Sequence, residues 1–218
     1  MAQSKDVFVF SKTEGYVHES IADGLKTIQK LGAENDFKVF HSEDARLFVQ
    51  DTLKKFDVVI FLNTTGDILN EVQQEAFKKY INTGGAFVGI HSATDTEYDW
   101  HWYNKLVGAY FKSHPDQQEA IIQISGHKHP STKYLPNSWK LFEEWYNFKN
   151  ISTSLTVLAT LDESSYQGGE NGVFHPIAWC QNYDGGKMFY TALGHRKETY
   201  SNPLFIKHLL GGILYVLD

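Results

Sequence analysis

The stretch Gly84-Gly85-Ala86-Phe87-Val88-Gly89-Ile90-His91-Ser92-Ala93-Thr94-Asp95 decides how this chain is read. Phe87 to Ile90 make an apolar run of strand length, entered through a glycine pair and stopping on a polar, proton-active cluster. Open α/β sheets bind their ligands beyond the carboxyl ends of parallel strands. His91 is therefore expected at the mouth of a site. A histidine there can also do no more than cap a turn, and what argues against that reading is recurrence. Val7-Phe8-Val9-Phe10 leads into Ser11 through His18, Val58 to Leu62 into Asn63-Thr64-Thr65-Gly66-Asp67, and Met188-Phe189-Tyr190 into Thr191 through His195. If these strands are parallel, all four clusters gather on one edge of one sheet.

Working outward, the first half alternates strand and helix patterns, the signature of a mostly parallel sheet flanked by helices. Ile21, Leu25, Ile28 and Leu31 recur at helical spacing, with Gly32 as a stop signal. A second strand is predicted near Phe37 to Phe40 and a helix over Asp44 to Lys54. A third helix follows over Leu69 to Tyr80, burying Val72, Ala76, Phe77 and Tyr80. Later come an aromatic helix over Trp100 to Val107 and strands at Glu119–Ile124 and Thr156–Leu161. Phe174–Cys180 and Lys187–Leu193 read as an antiparallel hairpin around Asp184-Gly185-Gly186, and Pro203 to Leu217 as a closing helix with proline in its first turn. No repeat or linker divides residues 1–218, so one α/β domain with an antiparallel addition is expected.

The 218 residues are 42% hydrophobic and carry a net charge of -6, with Lys and Arg scattered. That distribution leaves no basic footprint for nucleic acid, and no run reaches the length of a membrane helix. Cys180 is the only cysteine and sits in an apolar run, which excludes a disulfide framework and a Cys-rich zinc cluster. The opening residues run straight into a strand without a basic start and apolar h-region. This points to a cytoplasmic chain, or to an exported one whose leader has been removed. A homo-oligomer stays open.

The middle of the chain adds His114-Pro115, His129-Pro130 and Glu143-Glu144-Trp145-Tyr146. Together with Asn63 to Asp67, Gly84 to His91, Trp100-His101-Trp102-Tyr103, Gly108-Ala109-Tyr110-Phe111, Pro176-Ile177-Ala178-Trp179 and Gly194-His195, these segments resemble the ThuA-like (trehalose utilisation) family over nearly the whole length. The resemblance implies a flavodoxin-like sheet related to class I glutamine amidotransferases. It also implies a carbohydrate partner, with an oxidised (keto) sugar or disaccharide derivative as substrate. In those amidotransferases a cysteine nucleophile occupies the turn where His91 stands, so glutaminase chemistry is not expected here.

The candidate catalytic set is His91, Glu144, His195 and His129. His91 and Glu144 would exchange protons while His195 stabilises developing charge. Asn63, Thr64, Asp95, His114, Tyr146 and Trp102 are candidates for holding substrate. One carboxylate of the Glu143-Glu144 pair is expected to turn inward and the other to face water. His91, His129, His195 and Glu144 would also suit zinc or a similar divalent ion, although no compact His-x-x-x-His pair supports that. The competing functions are acid/base sugar chemistry, a metal-dependent hydrolase or isomerase of sugars, and a non-catalytic sugar-binding or regulatory module.

Overall fold

Residues 4–218 are described by a computed structural model. In chain order the elements are β1 (Lys5–Phe10), α1 (Ile21–Glu34), β2 (Phe37–Ser42), α2 (Gln50–Leu53), β3 (Val58–Leu62), α3 (Glu71–Asn82), β4 (Ala86–Ile90) and α4 (His101–Val107). They continue with β5 (Tyr110–Ser113), β6 (Gln118–Ile124), β7 (Ser138–Glu143), β8 (Asn147–Lys149), β9 (Thr156–Asp162), β10 (His175–Tyr183), β11 (Gly186–Thr191) and α5 (Pro203–Leu217).

One sheet of nine strands has the order β2-β1-β3-β4-β11-β10-β9-β6-β7. The first five are mutually parallel and the remaining pairings are antiparallel. Strands β3 and β4 are buried at every residue, as parallel strands covered on both faces must be, and this is why they read as unbroken apolar runs. Crossovers α1 and α3 return the chain to the same edge each time, so the segments after β1, β3, β4 and β11 all emerge together. Strand β11 pairs with β10 as the expected hairpin while lying parallel to β4 on its other side. Among the described residues no helix is long and apolar enough to cross a membrane.

Four expectations are corrected. Asp44 to Lys54 is not one helix but a 3-10 turn at Ala45–Leu47 followed by the single turn of α2. Between them Phe48 is driven into the core against Phe10, with ring centroids 4.6 Å apart, and Val49 takes an extended conformation that breaks the helix. Val72 is on the outer face of α3, 75% exposed. Helix α1 runs past Gly32 to Glu34, and a Cβ at Gly32 would meet the Phe37 carbonyl at 2.6 Å. That glycine serves close packing rather than termination. Finally, the loosely patterned middle contains β5, β7 and β8, which the sequence did not announce.

Candidate functional site

The parallel edge positions the site. Leaving β4, the chain turns at once through His91, whose φ of +50° puts it in the left-handed region at the start of a 3-10 turn. Such a strained non-glycine position at a strand end is a mark of functional geometry. The turn is fixed from below, with Tyr190 Oη donating to the His91 carbonyl at 2.7 Å. The His91 Nδ1 lies 2.8 Å from the Ala192 carbonyl. A carbonyl can only accept, so Nδ1 carries a proton, and in the neutral imidazole this leaves a lone pair on Nε2.

That lone pair faces Glu144 and His195. His91 Nε2 is 3.4 Å from Glu144 Oε2 and 3.3 Å from His195 Nδ1, and His195 Nδ1 is 3.0 Å from Glu144 Oε2. His18, from the loop after β1, completes the group. Donor atoms of His18, His91, Glu144 and His195 all lie within 4.8 Å of one another, three of the residues buried and His195 partly open. Donors around a tetrahedral zinc at 2.0–2.1 Å stand about 3.4 Å apart. Three of the four are thus already at ligand spacing, and their chemistry, imidazole and carboxylate, fits the ion.

Electrostatics prepare the same set. Burial, reinforced by the neighbouring His91 and His195, pushes the His18 imidazole down to about 2, so it is neutral and able to ligate. Burial alone would raise the Glu144 carboxyl, but the His195 and His91 imidazoles beside it outweigh burial and hold the group well below the usual carboxylate range. Glu144 is an anion among imidazoles, and its other oxygen is 3.4 Å from His114 Nδ1 at the rim. The Tyr146 ring packs on His91 at 4.3 Å between centroids and is itself buried.

Glu144 reaches this edge because its neighbour is locked there. Glu143, expected to face water if its partner turned inward, is fully buried. Its carboxylate accepts from Gly194 N at 2.9 Å, Thr199 Oγ1 at 3.0 Å, Arg196 N at 3.2 Å and Glu144 N at 3.1 Å. Both carboxylates therefore turn inward, one as a structural clamp on the His195 loop. Since β7 is the outermost strand of the sheet, these bonds also mean that the antiparallel half curls back over the strand ends.

Several candidates lie elsewhere. His129 is apart from the cluster, packed on Tyr215 of α5 at 4.3 Å, with burial pushing it down to about 4. Trp102 donates to Asp184 Oδ2 at 2.8 Å in the turn before β11, which is the opposite edge of the sheet. Asn63 is fully buried, donating to Gly194 O at 2.9 Å and Ser20 Oγ at 3.0 Å, so it ties the His195 loop to the start of α1. Thr64 is buried against Thr96 at 2.9 Å. Asp95 is half-buried with Tyr98 Oη donating to it at 2.5 Å, and burial pushes its carboxyl up. His18 was the omission. It closes the strand-end cluster that runs from Ser11, but its seven-residue separation from the strand gave no spacing signal. Cys180 is buried on β10, its thiol pushed up by burial.

The ThuA family pattern, described as trehalose utilisation, matches residues 6–216, and the chain belongs to that family. It is placed thereby among proteins of trehalose and carbohydrate utilisation. The fold is similar to a ThuA-like protein from Bacteroides uniformis, at 23% identity and a TM-score of 0.83, covering 99% of this chain and 92% of that one. A second ThuA-like protein, from Parabacteroides merdae, is 18% identical with a TM-score of 0.77 over 97% and 90% of the two chains. A β-galactosidase from Bacillus circulans sp. alkalophilus shares the fold over 31% of its length and 99% of this chain, at 14% identity and a TM-score of 0.62. No curated protein matches significantly.

Proposed function

We propose that this protein is an enzyme of carbohydrate utilisation acting on an oxidised (keto) sugar or disaccharide derivative, as a hydrolase or isomerase, at a divalent-metal centre held by His18, His91, Glu144 and His195. The observation that carries the reading is the convergence of these four donors from four separate loops within 4.8 Å. A zinc-like ion, when bound, supplies Lewis acidity toward a sugar carbonyl or a water molecule. The chain's own residues do the rest. Hydrogen bonding to Ala192 O holds His91 in the tautomer that ligates through Nε2. Glu144 brings the balancing negative charge, and His114 steadies its second oxygen at the rim. Asp95, raised by burial and adjoining the His91 turn, is the carboxyl left to hold or move a proton beside the substrate.

A second reading, in which His91 and Glu144 exchange protons directly and His195 stabilises charge, is supported by the same 3.4 and 3.0 Å contacts. Metal analysis of purified protein, with turnover assays on keto-sugars before and after chelation, separates the two. Stoichiometric metal and activity lost on chelation and restored by zinc are expected. Turnover indifferent to chelator would refute the metal centre in favour of proton exchange, and sugar affinity without turnover would mark a binding module.

A further inference from the structure

Of the four donors His195 is the most open to solvent, with 13% of its side chain exposed against 8% for Glu144, so one approach to the centre passes over it. On its outer side lies a cavity of about 320 Å³ lined by Tyr16, Gln117, His195 and the charged side chains at 19 and 196–198. A larger cavity of about 530 Å³ at the opposite edge has no histidine in its lining. The smaller cavity is near the lower end of ligand pockets, about 300–1,000 Å³, which suits one ring and its hydroxyl groups.

Its wall carries an exposed aromatic ring, Tyr16, with Val17 beside it in the chain. Tyr16 and Val17 are 62% and 65% exposed, yet the segment that carries them is pinned. Glu14 N donates to Thr65 O at 2.8 Å, Gly15 N to Thr65 Oγ1 at 3.2 Å, and Thr65 Oγ1 to Tyr16 O at 2.9 Å. An aromatic ring held out to water on an anchored loop is a preformed platform, apolar on its face and polar at its tip. Its plane is within 13° of the His195 ring, at 6.4 Å between centroids, so a flat ligand laid on Tyr16 runs toward the centre.

The polar groups say what kind of ligand fits. Arg196 pairs with Glu198 at 3.2 Å and Lys197 approaches Glu19 at 4.0 Å, leaving the wall with both signs and no surplus positive charge for a phosphate or carboxylate. Gln117 Nε2 sits 2.9 Å from His195 Nε2. With its amide turned so that the carbonyl oxygen meets His195, Gln117 would accept from the Nε2–H that ligation through Nδ1 leaves, and its NH2 would be free to donate to a hydroxyl.

Resting on the proposed carbohydrate function, we infer that this cavity is the subsite for an uncharged, hydroxyl-rich ring, the non-reacting sugar unit of a disaccharide, which stacks on Tyr16 and hydrogen-bonds to Gln117. Titration calorimetry with trehalose as the neutral probe and glucose 6-phosphate as the charged one tests it. Wild-type protein is expected to bind trehalose in preference. Tyr16→Ala should weaken trehalose at least tenfold and Tyr16→Phe less than threefold; Tyr16 packs edge-on against His18 at 4.8 Å but supplies no donor atom, so zinc affinity should change less than threefold in either variant. Gln117→Leu should weaken trehalose about tenfold. Trehalose affinity unaffected by Tyr16→Ala, stronger binding of the phosphate, or no trehalose binding to wild type would each overturn the subsite. Zinc titration of the same samples keeps that outcome distinct from a failure of the metal centre.

Discussion

Replacing Glu143 with alanine tests whether the site is held together by a buried charge rather than by packing. The Glu143 side chain has no exposure and accepts from the Gly194, Arg196 and Glu144 amides and from the Thr199 hydroxyl. Truncation strands four donors in a dry environment, and each such group costs about 1–3 kcal/mol. Partial rescue by entering water brings the expected total to about 3–5 kcal/mol, near the upper range for single substitutions. At about 2–4 °C per kcal/mol for a chain of this size, the melting temperature should fall by roughly 10 °C. Glu143→Gln keeps one acceptor oxygen but turns an NH2 group toward two amide donors, so about half that loss is expected. Urea unfolding at neutral pH measures both, and zinc titration of the folded fraction should show weaker binding, because the clamp positions His195 and Glu144 together. A loss below about 1 kcal/mol for the alanine variant would refute the argument, since four charge-assisted bonds cannot be deleted from a dry site so cheaply.

Other outcomes follow from the same geometry. Gly194 has φ +118°, and a Cβ there would meet Tyr200 Oη at 2.7 Å, so Gly194→Ala should cost about 2–3 kcal/mol in unfolding free energy and lower zinc affinity by displacing His195. Burial pushes His208 down from 6.5 to about 4, so in that window the unfolded chain binds a proton the folded chain refuses. Stability should therefore fall by up to about 3 kcal/mol as pH drops from 6.5 to 4 and lose nothing further from this group below it. The slope should be shallower in His208→Asn, measured by urea unfolding across pH. Asn70 caps α3 in a reciprocal box with Gln73. Asn70→Ala should cost about 1 kcal/mol by the same assay while leaving zinc binding unchanged.

The parallel half was legible because its strands are dry on both faces and its helices are amphipathic, which leaves unbroken apolar runs and a 3.6-residue period in the sequence. Strand β7 was not, because its pattern is inverted. Phe142 is 47% exposed and Glu143 is fully buried, the reverse of what solvation predicts for the two residue types. The strand ends announced His91 and His195, and the family motif singled out Glu144. His18 and the roles of Asn63 and Trp102 were beyond local pattern, since each is decided by contacts with residues more than forty positions away. His129 was misleading for the same reason. Its His-Pro context matches that of His114, but the loop it belongs to is committed to α5.

The four donors follow β1, β4, β7 and β11, and β7 is the last strand to be added at the far edge of the sheet. No contiguous fragment shorter than residues 18–195 and no half of the sheet contains them all. Pairings this remote in sequence are slow to form, so the centre comes into existence only when the antiparallel half has closed over the strand ends. On the proposed metal centre, zinc affinity gained during refolding would time that final step, and a partly folded chain would offer its imidazoles without the carboxylate that completes the set.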